Sequence, residues 1–192
     1  MSLLIKIIAG PNGSGKTTFA ETFLPPSKST VPYLNPDLIA AGLGPVLSEK
    51  ASFQAGRVLL TEINAKIQNG ESFAFESTLS GLTYASILRR AKSRGYKIII
   101  YFIFLNNISM NISRIKKRVS LGGHHIPSVI VRRRQVKCFE NFWNIYRSLS
   151  DEWSILDNSK KKPKLVHSMQ SLNALSAKDR ARFSQKFLRG MK

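Results

Sequence analysis

The stretch that decides the fold class is Gly10-Pro11-Asn12-Gly13-Ser14-Gly15-Lys16-Thr17. It matches the pattern GxxxxGK followed by Ser or Thr, between an apolar stretch at residues 3–9 and a helix-like segment at residues 17–23. Chance would produce such a match in roughly one per cent of chains of this length. The glycines allow backbone amides to turn inward at the positive end of a helix. The stretch therefore predicts a binding site for the phosphates of a nucleoside triphosphate.

Two side chains of this phosphate loop, residues 10–17, have specific expected roles. Lys16 is expected to bridge the β- and γ-phosphates of ATP, as a catalytic and an ATP-binding residue. The Thr17 hydroxyl is expected to ligate Mg²⁺, and Thr17 also belongs to the ATP site. The other expected ATP-binding residues are Gly10, Pro11, Asn12, Gly13, Ser14, Gly15 and Thr18.

Segments typical of strands and helices alternate along the chain. Apolar and β-branched runs predict strands at residues 3–9, 31–34, 72–75, 97–105 and 153–156, with an extra edge strand at 165–167. Spacings of three and four predict helices at residues 17–23, 48–68, 83–93, 107–120 and 129–149, and one that starts near Pro36. The alternation predicts a three-layer α/β P-loop NTPase fold of nucleotide-kinase type. Such a fold has a mostly parallel central sheet, helices on both faces and a ligand site beyond the carboxyl ends of the strands.

Length and composition restrict the alternatives further. The chain has 192 residues, 43 % of them apolar, which is enough for one domain with a sizeable core. Its single cysteine, Cys138, excludes an internal disulfide and a cluster of cysteine metal ligands. The longest apolar run, residues 98–105, is far shorter than the roughly 20 residues needed to span a bilayer, so a cytoplasmic location is expected. The formal net charge of +19 favours a polyanionic partner such as phosphates or nucleic acid.

Sequence motifs outside the phosphate loop indicate the class of nucleotide-binding protein. An ABC-type ATPase would need an LSGGQ signature, of which Leu79-Ser80-Gly81 is only the beginning. A GTPase would need the guanine-reading sequence NKxD, which the chain lacks. These comparisons favour a small kinase of nucleotide-kinase type.

Seven segments, in the right order over about residues 5–159, resemble the zeta toxin-like kinases. They are AGPNGSGKTTFA, NPDLIA, SFAFESTLSG, GYKIIIYFIFL, RVSLGGHHIP, VRRR and ILDNS. The best-known members of that family phosphorylate UDP-N-acetylglucosamine. GGHHIP and FESTLSG resemble its short, antitoxin-independent branch, so an antitoxin partner is not indicated. The resemblance implies an ATP-dependent phosphotransferase that acts on a hydroxyl of a small phosphorylated acceptor, such as UDP-N-acetylglucosamine.

The resemblance also implies roles for residues outside the phosphate loop. Asp37 would be catalytic and face the acceptor hydroxyl, and Glu76 and Thr78 would bind the acceptor. His124 departs from the family pattern, because some relatives have an arginine in its place, and it is a further expected acceptor-binding residue that could hydrogen-bond a phosphate. Two arginines would be catalytic at the γ-phosphate. One is Arg118, with Arg114 as its alternative, and the other is Arg133, with Arg132 and Arg134 as its alternatives.

Ordinary structural roles remain open for these residues. Asp37 could be the cap of a helix, Glu76 could pair with Lys16 or a surface arginine, and Thr78 could cap the next helix. Each arginine could belong to a solvated face. His124 could shape a turn.

The expected domain organisation is one kinase domain at residues 1–159, with a mobile basic loop at about 114–134. A basic segment at residues 160–192 would pack on this domain or trail from it. Two other functions remain open. One is a polynucleotide-end kinase that holds a phosphate backbone through its positive charge, and the other is a non-enzymatic, ATP-switched module that binds RNA or protein.

Overall fold

The computed structural model describes residues 2–23, 31–42, 49–123 and 125–190. Within these residues, six strands form one sheet in the order β2-β3-β1-β4-β5-β6. The strands are β1 (Leu4–Ala9), β2 (Tyr33–Leu34), β3 (Phe73–Ser77), β4 (Lys97–Phe104), β5 (Glu152–Asp157) and β6 (Lys164–Ser168). All neighbours are parallel except β5 and β6, which run antiparallel. The predicted mostly parallel α/β architecture is therefore confirmed.

Helices occupy most of the chain between the strands. They are α1 (Lys16–Phe23), α2 (Pro36–Gly42), α3 (Glu49–Asn69), α4 (Thr83–Ser93), α5 (Ile108–Ser120), α6 (Ser128–Asn141), α7 (Arg147–Leu149), α8 (Met169–Asn173) and α9 (Ala177–Leu188). A π-helical segment (Phe142–Tyr146) joins α6 to α7. None of the helices in these described ranges has the length and apolar character that crossing a bilayer requires.

The first strand lies in the middle of the sheet. β1 pairs with β3 through Ile7 and Phe75, and with β4 through Ile7 and Ile100. All three side chains are fully buried. A strand with helices over both faces needs apolar residues on both, which explains the isoleucine-rich run before the phosphate loop.

Helices pack on both faces of the sheet. On one face, Phe19 of α1 packs with Ile8 and Ile103. On the other face, α3, α4, α6 and α9 contribute to a larger core, with Leu59 and Leu88 among its buried members. The aromatic side chains of the 129–149 segment also belong to this larger core, namely Phe139, Phe142, Trp143 and Tyr146. These rings serve packing and are not available to stack on bases.

The basic C-terminal segment continues the sheet and the core. β6 pairs with β5, and Phe187 of α9 is fully buried. The Phe187 ring lies 5.4 Å from that of Phe102 and 4.8 Å from that of Phe139, measured between centroids. Through these contacts the end of the described chain shares the main hydrophobic core.

One local prediction is wrong. β3 extends to Ser77, so Glu76 lies within the strand and not after it, because Ile8 and Ala9 of β1 continue the pairing to this point. The segment 114–134, expected to be a mobile basic loop, contains the end of α5 at Ser120 and the start of α6 at Ser128, close to the bounds predicted for these two helices. Only residues 121–127 lie between the two helices.

Candidate active site

The phosphate loop connects β1 directly to α1, which begins at Lys16. Two of its glycines adopt left-handed backbone angles, with φ of +74° at Gly13 and +89° at Gly15. Side chains other than glycine rarely adopt such angles. This backbone turns the loop around the amino end of α1, where free amides and the helix dipole favour a negatively charged ligand.

The side chains of Lys16, Thr17 and Glu76 line the same cavity beside the phosphate loop. Lys16 Nζ donates to the carbonyl oxygen of Pro11 at 3.1 Å. Thr17 Oγ1 lies 3.1 and 3.2 Å from the two carboxylate oxygens of Glu76. Glu76 Oε2 also accepts a 2.9 Å hydrogen bond from the Tyr33 hydroxyl. Glu76 is only 3 % exposed, and it takes these bonds from two hydroxyls and not from Lys16.

The oxygen donors in this arrangement fit Mg²⁺ bound together with a nucleotide. The Thr17 hydroxyl and the Glu76 carboxylate supply two neighbouring oxygen atoms, and Mg²⁺ completes its six ligands with phosphate oxygens and water. No group of three or more His, Cys, Asp or Glu side chains suited to a metal was found among the described residues. Within the described residues, Thr17 and Glu76 thus offer part of a magnesium shell.

A cavity of about 580 Å³ lies over the phosphate loop. Its walls include Gly13, Gly15, Lys16 and Thr17 of the loop, the end of β3 and four further cationic side chains, Arg114, Arg118, Lys160 and Lys161. Arg114 and Arg118 lie four residues apart and so project from one face of α5. Among the described residues that line this cavity, Glu76 supplies the one carboxylate, and the excess of positive charge suits a polyphosphate.

Two further cavities adjoin the first. One, of about 700 Å³, shares Asn12 and Ile126 with it and is lined by Arg57, Arg133 and Arg134. The other, of about 280 Å³, shares Glu76 and Thr78 with the first and Arg134 with the second. Because they share lining residues, the three cavities are adjacent at the carboxyl ends of the strands, and together we call them a branched cleft. We call the part beyond the phosphate loop the second branch.

Tyr84 contributes a neutral hydroxyl to this second branch. Burial raises the pKa of Tyr84 to about 12, although a hydrogen bond with Ser77 acts in the opposite direction. The group remains protonated near neutral pH and can donate a hydrogen bond to a ligand.

The structure separates the candidate arginines by position. Arg114 and Arg118 line the cavity over the phosphate loop, whereas Arg133 and Arg134 line the second branch. Arg132 lies on the other side of α6, in a separate cavity of about 500 Å³ that includes Asn107 and Leu188.

Asp37 does not cap α2, and Thr78 does not cap α4. Asn35, not Asp37, caps α2: its carbonyl Oδ1 accepts from the Leu38 amide at 3.4 Å. Asp37 is the second residue of that helix, and its side chain lies outside the described part of the structure, as does all of His124. The Thr78 hydroxyl bonds to that of Ser80 at 2.9 Å, and α4 begins five residues later with Leu82 before it.

Several site residues were not predicted from the sequence. Tyr33 anchors Glu76, Arg57 faces the second branch, and Asn111 and Asn158 hold the phosphate loop from outside. Asn158 follows a predicted strand and could have been found by its place at the carboxyl edge of the sheet. Nothing in the local sequence marks the other three.

Fold and site together define a P-loop kinase. The family model for zeta toxin matches residues 4–165, and the chain belongs to this family. It is accordingly an ATP-dependent kinase, which decides against the non-enzymatic alternative.

Three relatives illustrate how far the similarity extends. An uncharacterised protein of Haemophilus influenzae is 34 % identical over 125 residues, which are 65 % of this chain and 87 % of that protein. A structure from the PezAT chromosomal toxin-antitoxin system of Streptococcus pneumoniae superposes with a TM-score of 0.61 at 13 % identity, over 98 % of this chain and 87 % of that one. The AvrRxo1-ORF1:-ORF2 structure with ATP gives 0.70 at 16 % identity, over 97 % and 64 %. At these identities the two structural matches show a shared fold.

Proposed function

We propose that the chain transfers the γ-phosphate of ATP to a hydroxyl of a small phosphorylated acceptor, for which UDP-N-acetylglucosamine is the first candidate. The supporting observation is the branched cleft, in which the cavity over the phosphate loop adjoins a second branch lined by Arg57, Arg133 and Arg134. Two adjacent cationic compartments suit two phosphorylated ligands. The family resemblance supplies the identity of the candidate acceptor.

On the ATP side, the backbone of residues 10–18 would surround the phosphates, and Lys16 would exchange its bond to Pro11 for the β- and γ-phosphates. Mg²⁺, when bound to the nucleotide, neutralises charge that develops during phosphoryl transfer. Thr17 and Glu76 are the side chains that would hold it. Arg114 and Arg118 would add positive charge at the transferred group.

On the acceptor side, Asp37 would orient the hydroxyl and take up its proton late in the transfer. The backbone position of Asp37 suits this role because α2 follows β2, whose last residue pairs with Phe75, the neighbour of Glu76. Thr78, Tyr84 and Glu76 offer hydrogen bonds to a sugar. Arg133 and Arg134 would contact the phosphates of the acceptor.

The test is incubation of the full chain with Mg²⁺, ATP and UDP-N-acetylglucosamine, followed by mass analysis of the products. We expect ADP and an acceptor that carries one additional phosphoryl group, formed in equal amounts. Arg133→Ala should raise the KM for the acceptor at least tenfold, whereas Arg132→Ala, outside the cleft, is the matched control. Phosphorylation of other nucleotide sugars but not this one would contradict the named acceptor.

One observation favours testing a polynucleotide acceptor as well. Lys160 and Lys161 are exposed and line the cavity over the phosphate loop, in a chain with a net charge of +19. A polynucleotide-end kinase should phosphorylate an oligonucleotide with 5′-hydroxyl ends. Its affinity for that oligonucleotide should fall steeply as salt rises, because bound cations are released from the phosphates.

A further inference from the structure

We propose that Asn158 and Asn111 are positioning residues that set the direction of the phosphate-loop amides and, through Asn158, the place of Arg114. The proposal rests on the ATP site proposed above. It concerns two residues outside the phosphate loop whose side chains donate hydrogen bonds to its backbone carbonyls.

Asn158 joins three elements at the end of β5. Its side-chain Nδ2 donates to the carbonyl oxygen of Ser14 at 2.8 Å. Its backbone amide donates to Phe104 at the end of β4, also at 2.8 Å. Its carbonyl oxygen accepts a 2.9 Å hydrogen bond from Arg114 Nη2. A single residue therefore fixes the phosphate loop, the sheet and a cation of the cleft relative to one another.

Asn111 makes the corresponding contact from α5. It is fully buried, and its Nδ2 donates to the carbonyl oxygen of Asn12 at 2.8 Å. Arg114 and Arg118 follow it at intervals of three and four residues, on the same face of the helix. The helix that presents two arginines to the cavity is thus hydrogen-bonded to the loop that those arginines overlook.

The two carbonyl contacts have a direct effect on the amides that a phosphate would meet. In a planar trans peptide the C=O and the following N–H point in opposite directions. Holding the carbonyl of Asn12 toward Asn111 therefore directs the Gly13 N–H away from Asn111. Holding the carbonyl of Ser14 toward Asn158 directs the Gly15 N–H away from Asn158. The two amide side chains fix the loop in an orientation that presents donors to an anion.

These contacts require that Gly13 and Gly15 carry no side chain. A Cβ on Gly13 would lie 2.6 Å from the carbonyl oxygen of Asn111, and a Cβ on Gly15 would lie 2.5 Å from Asn158 Nδ2. Both distances are too short for any side chain. Besides allowing left-handed backbone angles, the two glycines permit α5 and the segment after β5 to approach the loop from outside.

The test measures ATP binding by the full chain in calorimetry, without an acceptor. Asn158→Ala and Asn111→Ala should each raise the Kd for ATP about tenfold or more, because a loop carbonyl loses its donor and the amides are no longer held in place. Asn173→Ala, at an exposed asparagine of α8, is the control and should bind ATP like the wild type. Thermal unfolding with and without ATP separates the stability of each variant from its affinity.

Two further variants distinguish positioning from general stabilisation. Asn158→Asp keeps the shape of the side chain but replaces the donor by an acceptor facing the Ser14 carbonyl, so its Kd should rise more than that of Asn158→Ala. The effects of Asn158→Ala and Arg114→Ala on the Kd should be less than additive, because the Asn158 side chain anchors to the phosphate loop the backbone segment whose carbonyl oxygen holds Arg114.

Asn158 and Asn111 variants that melt at a lower temperature but keep a Kd within twofold of the wild type would overturn the proposal. Fully additive effects of the Asn158 and Arg114 substitutions would refute the link to Arg114. A wild-type chain that does not bind ATP would instead contradict the proposed ATP site, and this proposal with it.

Discussion

Replacing Glu76 by glutamine separates a structural from a functional role for this buried carboxylate. The substitution keeps the shape of the side chain and removes its charge. In the wild type, the carboxylate accepts hydrogen bonds from the hydroxyls of Tyr33 and Thr17 at 2.9 to 3.2 Å. Each hydroxyl can also accept a hydrogen bond, so an amide at this position can keep both partners.

The expected change in stability is small. A hydrogen bond to a charged group stabilises by about 1.5–3 kcal/mol and a neutral one by about 0.5–1.5, so two weakened bonds cost about 2 kcal/mol. The side chain is only 3 % exposed, and removing a charge from this environment regains a desolvation cost of similar size. We expect the free energy of unfolding of Glu76→Gln to stay within about 1 kcal/mol of the wild type, which is about 2–4 °C in Tm for a chain of this length.

Activity should respond much more strongly. Glu76→Gln removes the negative charge beside the position expected for the transferred phosphoryl group. This loss should lower kcat/KM by about 10²- to 10³-fold. The assay compares initial rates of ADP formation with thermal unfolding of the same preparations. Glu62→Gln, at an exposed position of α3, is the control and should change neither. A Glu76→Gln enzyme within threefold of wild-type kcat/KM would refute a role for the charge.

Four other substitutions test separate parts of the structure. Lys16→Ala should raise the Kd for ATP about 10²-fold, since it removes a cation at the phosphates; near-normal turnover would contradict this role. Thr17→Ala should shift the Mg²⁺ titration of activity to higher concentration, and an unchanged titration would reject Thr17 as a ligand. Asp37→Asn should lower kcat by roughly 10²- to 10⁴-fold with little change in ATP affinity, and full activity would exclude the catalytic assignment. Phe187→Ala should cost about 3–5 kcal/mol, or roughly 10 °C in Tm, because the ring is fully buried; a loss below 1 kcal/mol would show that α9 is dispensable.

Much of the fold could be predicted because its signals are local. The isoleucine-rich run of β1, the glycines of the phosphate loop and the spacing in α4 each identify an element from neighbouring residues. α4 covers residues 83–93, as its periodicity predicted. The end of β3 could not be predicted in this way. It depends on pairing with β1, which lies about 70 residues earlier in the chain.

The candidate site was predictable only in part, for the same physical reason. Lys16 and Thr17 belong to a motif whose spacing carries its chemistry. The roles of Tyr33 and Asn111 arise from hydrogen bonds across 43 and 99 residues, and no sequence spacing encodes such contacts. The direction of Arg132, Arg133 and Arg134 depends on how α6 packs, and consecutive residues on a helix necessarily face different ways.

The central position of β1 affects the order in which the chain becomes functional during synthesis. β1 is made before both of its neighbours in the sheet, β3 and β4, which end at residues 77 and 104. The hydrogen bond from Asn158 to the phosphate loop needs 54 residues more. Because a domain folds as a unit once its parts are available, the nascent chain should acquire ATP affinity late, after β5 has left the ribosome. A ribosome-stalled chain that ends at residue 130 would then carry the complete phosphate-loop sequence and bind no nucleotide.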